Sequence, residues 1–289
     1  MASSLKLQTM NSLPTSSLAA LEEMLQNTAR SVPVDFMPIH LSKDLEGEQV
    51  IGHLNPEFIP YLQESLQTES IPLISIKSDR LTIQLSRPKE LSASLSQLAD
   101  KMRSGGYVPG WRNEEFAWLD QSGHQCFRLE RAAFRTFGFQ SMATHINGYT
   151  KSGLLWLGRR SETKSTDPGK LDNMAAGGIS ADETPWVCAK RELWEEAGVP
   201  PQIADQVEPV GRIHMRRPIS GRGFHDEQLY IYDLELPDQF IPTNHDGEVS
   251  GFIHISLAEA AARILADEFT SDAAFVTADY ILRRNKSIF

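Results

Sequence analysis

The chain has 289 residues, 40% of them hydrophobic and 23% charged, with 38 acidic side chains against 28 Lys and Arg and a net charge of −10. This is globular usage with enough length for two cores, and the acidic balance argues against bulk nucleic-acid binding, which needs clustered Lys and Arg. Two cysteines, Cys126 and Cys188, cannot build a disulfide framework and read as reduced thiols, and no apolar run has the length of a membrane-spanning helix.

The N-terminal stretch through Met24 has Lys6 as its one basic residue, carries Glu22 and Glu23 early, and lacks a continuous apolar core. It reads as a short disordered tip on a cytoplasmic protein. A helix is predicted over 17–31, then short strands at 36–41 and 48–54, a helix over 56–65, and a hairpin of 71–77 with 80–86 closed at Ser78-Asp79. The stretch 90–104 is an amphipathic helix ending on Gly105-Gly106. Trp111, Phe116, Trp118 and the aromatic run 126–139 read as core or interface. We set a boundary near Gly138, giving a small α+β domain over 1–137 and a catalytic half over 138–289. In that half, 145–160 reads as strand, turn, strand; 211–217 and 227–236 are two more strands; a short strand from Gly251 precedes a helix over 257–266; a last helix covers 277–285.

Between those strands lies GGISADETPWVCAKRELWEEAGV, from Gly177 to Val199. Thr184 suits an N-cap, Pro185 the first helical position and Gly198 a left-handed C-cap, so a helix is predicted between them. Glu192, Glu195 and Glu196 then share one face, where Glu192 and Glu196 repel each other unless a cation sits between them. A hard divalent cation with oxygen ligands is the natural candidate. The opposite side carries Trp186, Ala189, Leu193 and Ala197, with Val187 and Trp194 closing round the back. The helix is therefore expected to be largely buried, with only its glutamate face free.

The order Gly177, Glu183, Arg191-Glu192-Leu193, Glu195-Glu196, Gly198-Val199 resembles the Nudix box at every defined position. The resemblance implies a Nudix α/β/α sandwich with a mixed sheet, preceded here by the smaller α+β domain. It implies Mg²⁺ or Mn²⁺ held by Glu192, Glu195 and Glu196, a brace between Arg191 and Glu183, and hydrolysis of a diphosphate. The segments Leu129–Tyr149, Leu157–Ile179 and Tyr232–Pro237, with a long N-terminal domain ahead, are similar to Nudix proteins described as thiamine pyrophosphokinase-related, most of all over Trp156–Gly178. For that group the implied substrates are thiamine diphosphate and its oxo and hydroxy analogues, cleaved to the monophosphate and phosphate.

Diphosphate hydrolysis needs charge neutralisation and an activated water. Arg159, Arg160, Lys164 and Lys170 form a local basic stretch just ahead of the box and are candidates to grip phosphates, together with Gly177 and Gly178; the lysines serve equally well as solvated turn residues. Glu248, in the acidic loop Asp246-Gly247-Glu248, either completes the metal site or acts as general base. His225, Asp226 and Glu227 are placed in a hairpin turn, as substrate rim or plain turn. Three readings stay open: a metal-dependent diphosphohydrolase, with a dinucleotide such as NADH or ADP-ribose as its alternative substrate; a Nudix isomerase, which would need a catalytic cysteine; and a binding protein, which would tolerate a degraded box. The intact box favours hydrolysis. The expected partner is a small-molecule diphosphate, with no nucleic acid and no membrane, and a homodimer is left open.

Overall fold

A computed structural model of the chain describes residues 13–286 apart from 44–46, 69 and 165; the N-terminal tip expected to be disordered lies outside the described residues as far as residue 12. Helix α1 covers Thr15–Gln26. Strands β1 (Met37–Lys43) and β2 (Gly47–Leu54) pair antiparallel. A 3₁₀ turn at Pro56–Phe58, capped by the Asn55 side chain, leads into α2 (Ile59–Thr68). Strands β3 (Ile74–Ile76) and β4 (Leu81–Gln84) close round Ser78-Asp79, the Lys77 N–H donating to the Arg80 carbonyl at 2.9 Å. The first sheet runs β2-β1-β4-β3, with β1 and β4 parallel.

Helix α3 (Pro88–Ser104) buries Leu91, Leu95, Leu98 and Met102 at helical spacing, the amphipathic stripe its sequence predicts. A two-stranded hairpin follows, β5 (Glu115–Leu119) with β6 (Gln125–Glu130), then the short helix α4 (Arg131–Phe137), which stops at Gly138 in the left-handed conformation (φ 59°). Phe116, Trp118, Phe127, Phe134, Phe137 and Phe139 join one hydrophobic cluster whose buried members all come from residues 37–139. The dense aromatics are core, as their spacing led us to expect.

The second sheet is built from β7 (Gln140–Thr150), β8 (Leu155–Arg160), β11 (Glu208–Ile219), β12 (Gly223–Leu236) and β13 (Val249–Ile255) in the order β11-β12-β7-β8-β13. Short strands β9 (Leu171–Asn173) and β10 (Ala175–Gly178) add to β8 and β7. The β12–β7 pair is parallel and the others antiparallel, so the sheet is mixed. Helix α5 (Pro185–Ala197) lies on one face and α8 (Ser271–Lys286) on the other, with α6 (Pro201–Ala204) and α7 (Leu257–Leu265) beside them. The two-residue strand period assigns the faces. On β7, Ile146 packs with Ala189 and Leu193 of α5, while Asn147 joins Asn173 and Thr277 of α8 in a buried hydrogen-bonded chain.

Three expectations need correction. Helix α1 packs on α7 and α8, where fully buried Leu21 meets the cluster of Leu257, Ile264 and Tyr280, so it belongs in space to the C-terminal half despite its place in the chain. His225, Asp226 and Glu227 lie inside β12 rather than in a turn, because the β11–β12 ladder runs on to Ile219–Gly223. On α5, Trp186, Val187 and Trp194 are 42%, 46% and 50% exposed, whereas Glu192 and Glu196 are each 7% exposed. The buried side of that helix is the Ala189–Leu193–Ala197 stripe plus the glutamates next to it; Trp186 is instead held over the Lys190 ammonium at 3.9 Å and Trp194 edge-on to His245.

Candidate functional site

The α5 helix is fixed at both ends by the residues its sequence singles out. Thr184 accepts from the Val187 N–H, and Gly198, at φ 63°, returns its N–H to the Leu193 and Trp194 carbonyls. On its inner face the helix sits against β10 at Gly177 and Gly178. A Cβ on Gly177 would collide with the Glu192 carboxylate, and one on Gly178 with the Phe116 ring. Gly177 therefore allows the acidic face to approach the sheet, and Gly178 admits the Phe116 ring.

Arg191 ties the acidic face together. It grips Glu183 through Nε at 2.7 Å and Nη2 at 2.9 Å, and reaches Glu192 at 2.7 Å and Glu195 at 2.9 Å through Nη1. Glu196 accepts one bond, from the Ala176 N–H at 2.9 Å. Burial raises the Glu192 carboxyl to about 7, against the pull of Arg191. Glu196 is pushed well above the ordinary range by burial and then by Glu192. Arg191 does not offset the burial of Glu192, and Glu196 has no ion-pair partner among the described residues.

Ligand atoms of Glu196, Asp246 and Glu248 lie within 4.8 Å of one another. Burial pushes Glu248 up, but its hydrogen bond to the Lys164 ammonium wins and its pKa is lowered. Arg112 stands 3.6 Å away on the other oxygen. Lys164 thus meets the site through Glu248. Arg160 also lines the wall, yet its guanidinium is committed to Asp172 at 2.9 Å and to the Thr166 carbonyl. Arg159 donates to the Gly169 carbonyl at 2.7 Å and Lys170 pairs with Asp267, and neither reaches the cavity.

That cavity measures about 460 Å³ and is lined by Gly177, Gly178, Glu192, Glu195 and Glu248 on one side. Its size falls in the range of small-molecule sites, ~300–1,000 Å³. Cys188 is fully buried at its back, donating to the Gly178 carbonyl at 3.4 Å, and burial raises its thiol to about 12. Such a thiol is inert as acid or nucleophile at neutral pH, which removes the cysteine an isomerase would need on this helix.

Residues 143–277 match the NUDIX domain family. Residues 143–277 are a Nudix domain. The stretch 36–141 matches a domain of unknown function, DUF4743. Among curated proteins, "Nudix hydrolase 24, chloroplastic" of Arabidopsis thaliana is 33% identical over 243 residues, and "Nudix hydrolase 20, chloroplastic" of the same plant is 33% identical over 247. Each match takes in 82% of this chain and 66% of the relative's length. A crystal structure of DR0079 from Deinococcus radiodurans is 22% identical, with a TM-score of 0.46 over 59% of this chain and 98% of that one.

Part of the cavity wall comes from outside the Nudix domain. Arg112, Phe116, Arg131 and Phe134 line it, with Glu114 holding Arg131 at 2.9 Å and taking a bond from Ser180 of the box loop. Sequence reasoning gave these residues no role in the site, and no local pattern marks them; they arrive through the pairing of β5 and β6. Asp246 was missed as well, although it shares a loop with Glu248, whose N–H it accepts at 2.8 Å.

Proposed function

We propose that this chain is a divalent-metal-dependent hydrolase of small organic diphosphates that cleaves the phosphoanhydride to a monophosphate and inorganic phosphate. One observation carries the reading: buried Glu196 clusters with Glu248 and Asp246, while buried Glu192 on the same helix lies against Gly177, which leaves room for its carboxylate. The donor set fits a hard cation, since all ligands are carboxylate oxygens and the two buried acids lack a cationic partner strong enough to hold them ionised. Glu192, Glu195, Glu196, Asp246 and Glu248 would hold Mg²⁺ or Mn²⁺, which when bound neutralises phosphate oxygens and makes a water more acidic.

The chain's own groups do the rest. Arg191 holds Glu183, Glu192 and Glu195 in register, a bracing task. Glu248, kept ionised by Lys164, is a poor proton acceptor and serves as a further carboxylate ligand, which favours completion of the metal site over the role of general base. Phe116 and Phe134 give the organic group an apolar wall, and Arg112 and Arg131 bring positive charge to the phosphates. In the reaction a water oxygen bonds to the terminal phosphorus, the bridging P–O bond breaks with its electron pair leaving on the monophosphate, and the water's proton passes to solvent. The resemblance to thiamine pyrophosphokinase-related Nudix proteins makes thiamine diphosphate or its oxo analogue the proposed substrate.

Turnover measured with phosphate detection tests this. Chelation should abolish activity, and Glu196→Gln should lower the rate by about a hundredfold or more with the fold retained; near-normal turnover of that variant sinks the metal assignment. Specificity constants for thiamine diphosphate, oxothiamine diphosphate, NADH and ADP-ribose at fixed Mg²⁺ test the substrate. A preference of more than about tenfold for either nucleotide over both thiamine compounds, ~1.4 kcal/mol of transition-state discrimination, rules out the thiamine assignment and leaves the hydrolase reading intact.

A further inference from the structure

On the α8 face of the second sheet, across the sheet from the box helix, three ligating side chains converge, two of them in the wall of the same cavity. His225 and Glu227 alternate inward along β12, and Asp272 lies in the first turn of α8. One ligand atom from each falls within 4.8 Å of the others. His225 is fully buried, and among the described residues neither of its ring nitrogens has a hydrogen-bond partner and Asp272 Oδ1 has none either.

The spacing is informative. His225 Nε2 stands 3.5 Å from Glu227 Oε2 and 3.5 Å from Asp272 Oδ2. An imidazolium facing two buried carboxylates would close to hydrogen-bonding distance, roughly 2.7–2.9 Å. Elsewhere in this chain the His214 ring stands 2.7 Å from the Asp226 carboxylate. By contrast, ligands about 2.0–2.1 Å from one tetrahedral ion stand roughly 3.4 Å apart.

The support behind the ligands fits the same reading. Ser141 donates to Glu227 Oε1 at 2.7 Å, which occupies that oxygen and leaves Oε2 turned to His225. Glu227 and Asp272 line the cavity, so a remaining coordination position would open onto it.

We propose that His225, Glu227 and Asp272 form a second metal site, separate from the box glutamates, that binds a divalent transition-metal ion of the Zn²⁺ type with an open position facing the cavity. A nitrogen ligand sets it apart from the all-oxygen box site and selects a borderline ion over Mg²⁺. The inference stands on this cluster's own geometry and does not depend on the hydrolase reading.

The probe is Co²⁺, titrated into the full chain without a histidine tag, stripped of metal, in a Glu196→Gln background that disables the box site. We expect one Co²⁺ per chain with imidazole scattering in its X-ray absorption spectrum. Asp272→Asn and Glu227→Gln, close in shape to the native side chains, should each weaken Co²⁺ binding more than about tenfold, with an unchanged thermal midpoint in the metal-free state; His225→Gln should remove the imidazole signal. Absence of Co²⁺ binding, a bound ion without imidazole scattering, or undiminished affinity in the folded Asp272→Asn variant overturns the site. So does a ¹⁵N spectrum showing the His225 ring doubly protonated in the presence of saturating Co²⁺, which would make the triad an ion pair.

Discussion

Arg191 concentrates more of the site's order than any of the acids around it. Its guanidinium bonds Glu183, Glu192, Glu195 and the Gly178 carbonyl, linking the helix to the loop ahead of it and to β10. Its removal leaves Glu183 uncompensated and frees two glutamates, so Arg191→Ala should destabilise the fold by about 2–4 kcal/mol in chemical denaturation. Arg191→Lys should recover little of this, because a point ammonium cannot span Glu183 in two parallel bonds. Glu192 and Glu196 predict a pH dependence in the metal-free protein. Both carboxyls titrate higher in the fold than in the open chain, where the ordinary value is about 4.5. Below that value both states are protonated and the acids carry no penalty; as the pH rises to about 7 the folded state must ionise them or forgo the proton release available to the unfolded chain, and stability is lost. His53 and His254, with lowered pKa values, act in the opposite sense. The comparison that isolates the acids is therefore wild type against Glu192→Gln/Glu196→Gln. Between pH 5 and 8 without metal, wild type should lose stability relative to the double variant, and Mg²⁺ should abolish the difference.

The α5 helix and strand β10 form the unit on which the site depends. Their closeness is set at Gly177, where the obstacle to a Cβ is the far end of the flexible Glu192 carboxylate. Gly177→Ala should thus leave the thermal midpoint almost unchanged while displacing Glu192 and lowering turnover by about tenfold or more. Gly198 predicts the reverse pattern. It sits at φ 63°, and a Cβ there would stand 2.7 Å from the Thr243 carbonyl, so Gly198→Ala should cost ~1 kcal/mol or more of stability, with the rate falling only as far as the helix loosens. These outcomes can be read from denaturation and turnover on the same samples. Both the caps and the glycine positions are legible in the sequence, because capping is local chemistry. The exposure of Trp186 and Trp194 was not, since the direction that a helix turns toward its sheet depends on what the sheet presents.

Across the whole molecule, two chain segments distant in sequence complete the structure around the Nudix domain. Helix α1 buries Leu21 against α7 and α8, and Leu21→Ala should cost about 2–5 kcal/mol as a cavity in a packed core. The segment around β5, β6 and α4 brings Phe116 and Arg131 to the cavity and is joined to the box loop by Arg128 with Asp182 and by Glu114 with Ser180. Phe116→Ala and Arg131→Ala should raise KM for the proposed diphosphate substrate with little change in Mg²⁺ dependence, because both line the cavity without offering a metal ligand. The sequence by itself determined the alternation of elements, the limits of α5, the mixed α+β class and the glutamates that share one face, since each rests on periodicity, capping or spacing within a few residues. Only the tertiary structure decided that Glu248 and Asp246 meet Glu196, that Lys164 serves Glu248 while Arg159 and Lys170 turn away, and that part of the cavity wall is built by residues before Gly138. Those are facts of strand pairing and loop closure between residues far apart in the chain, where no local pattern records which side chains will face each other.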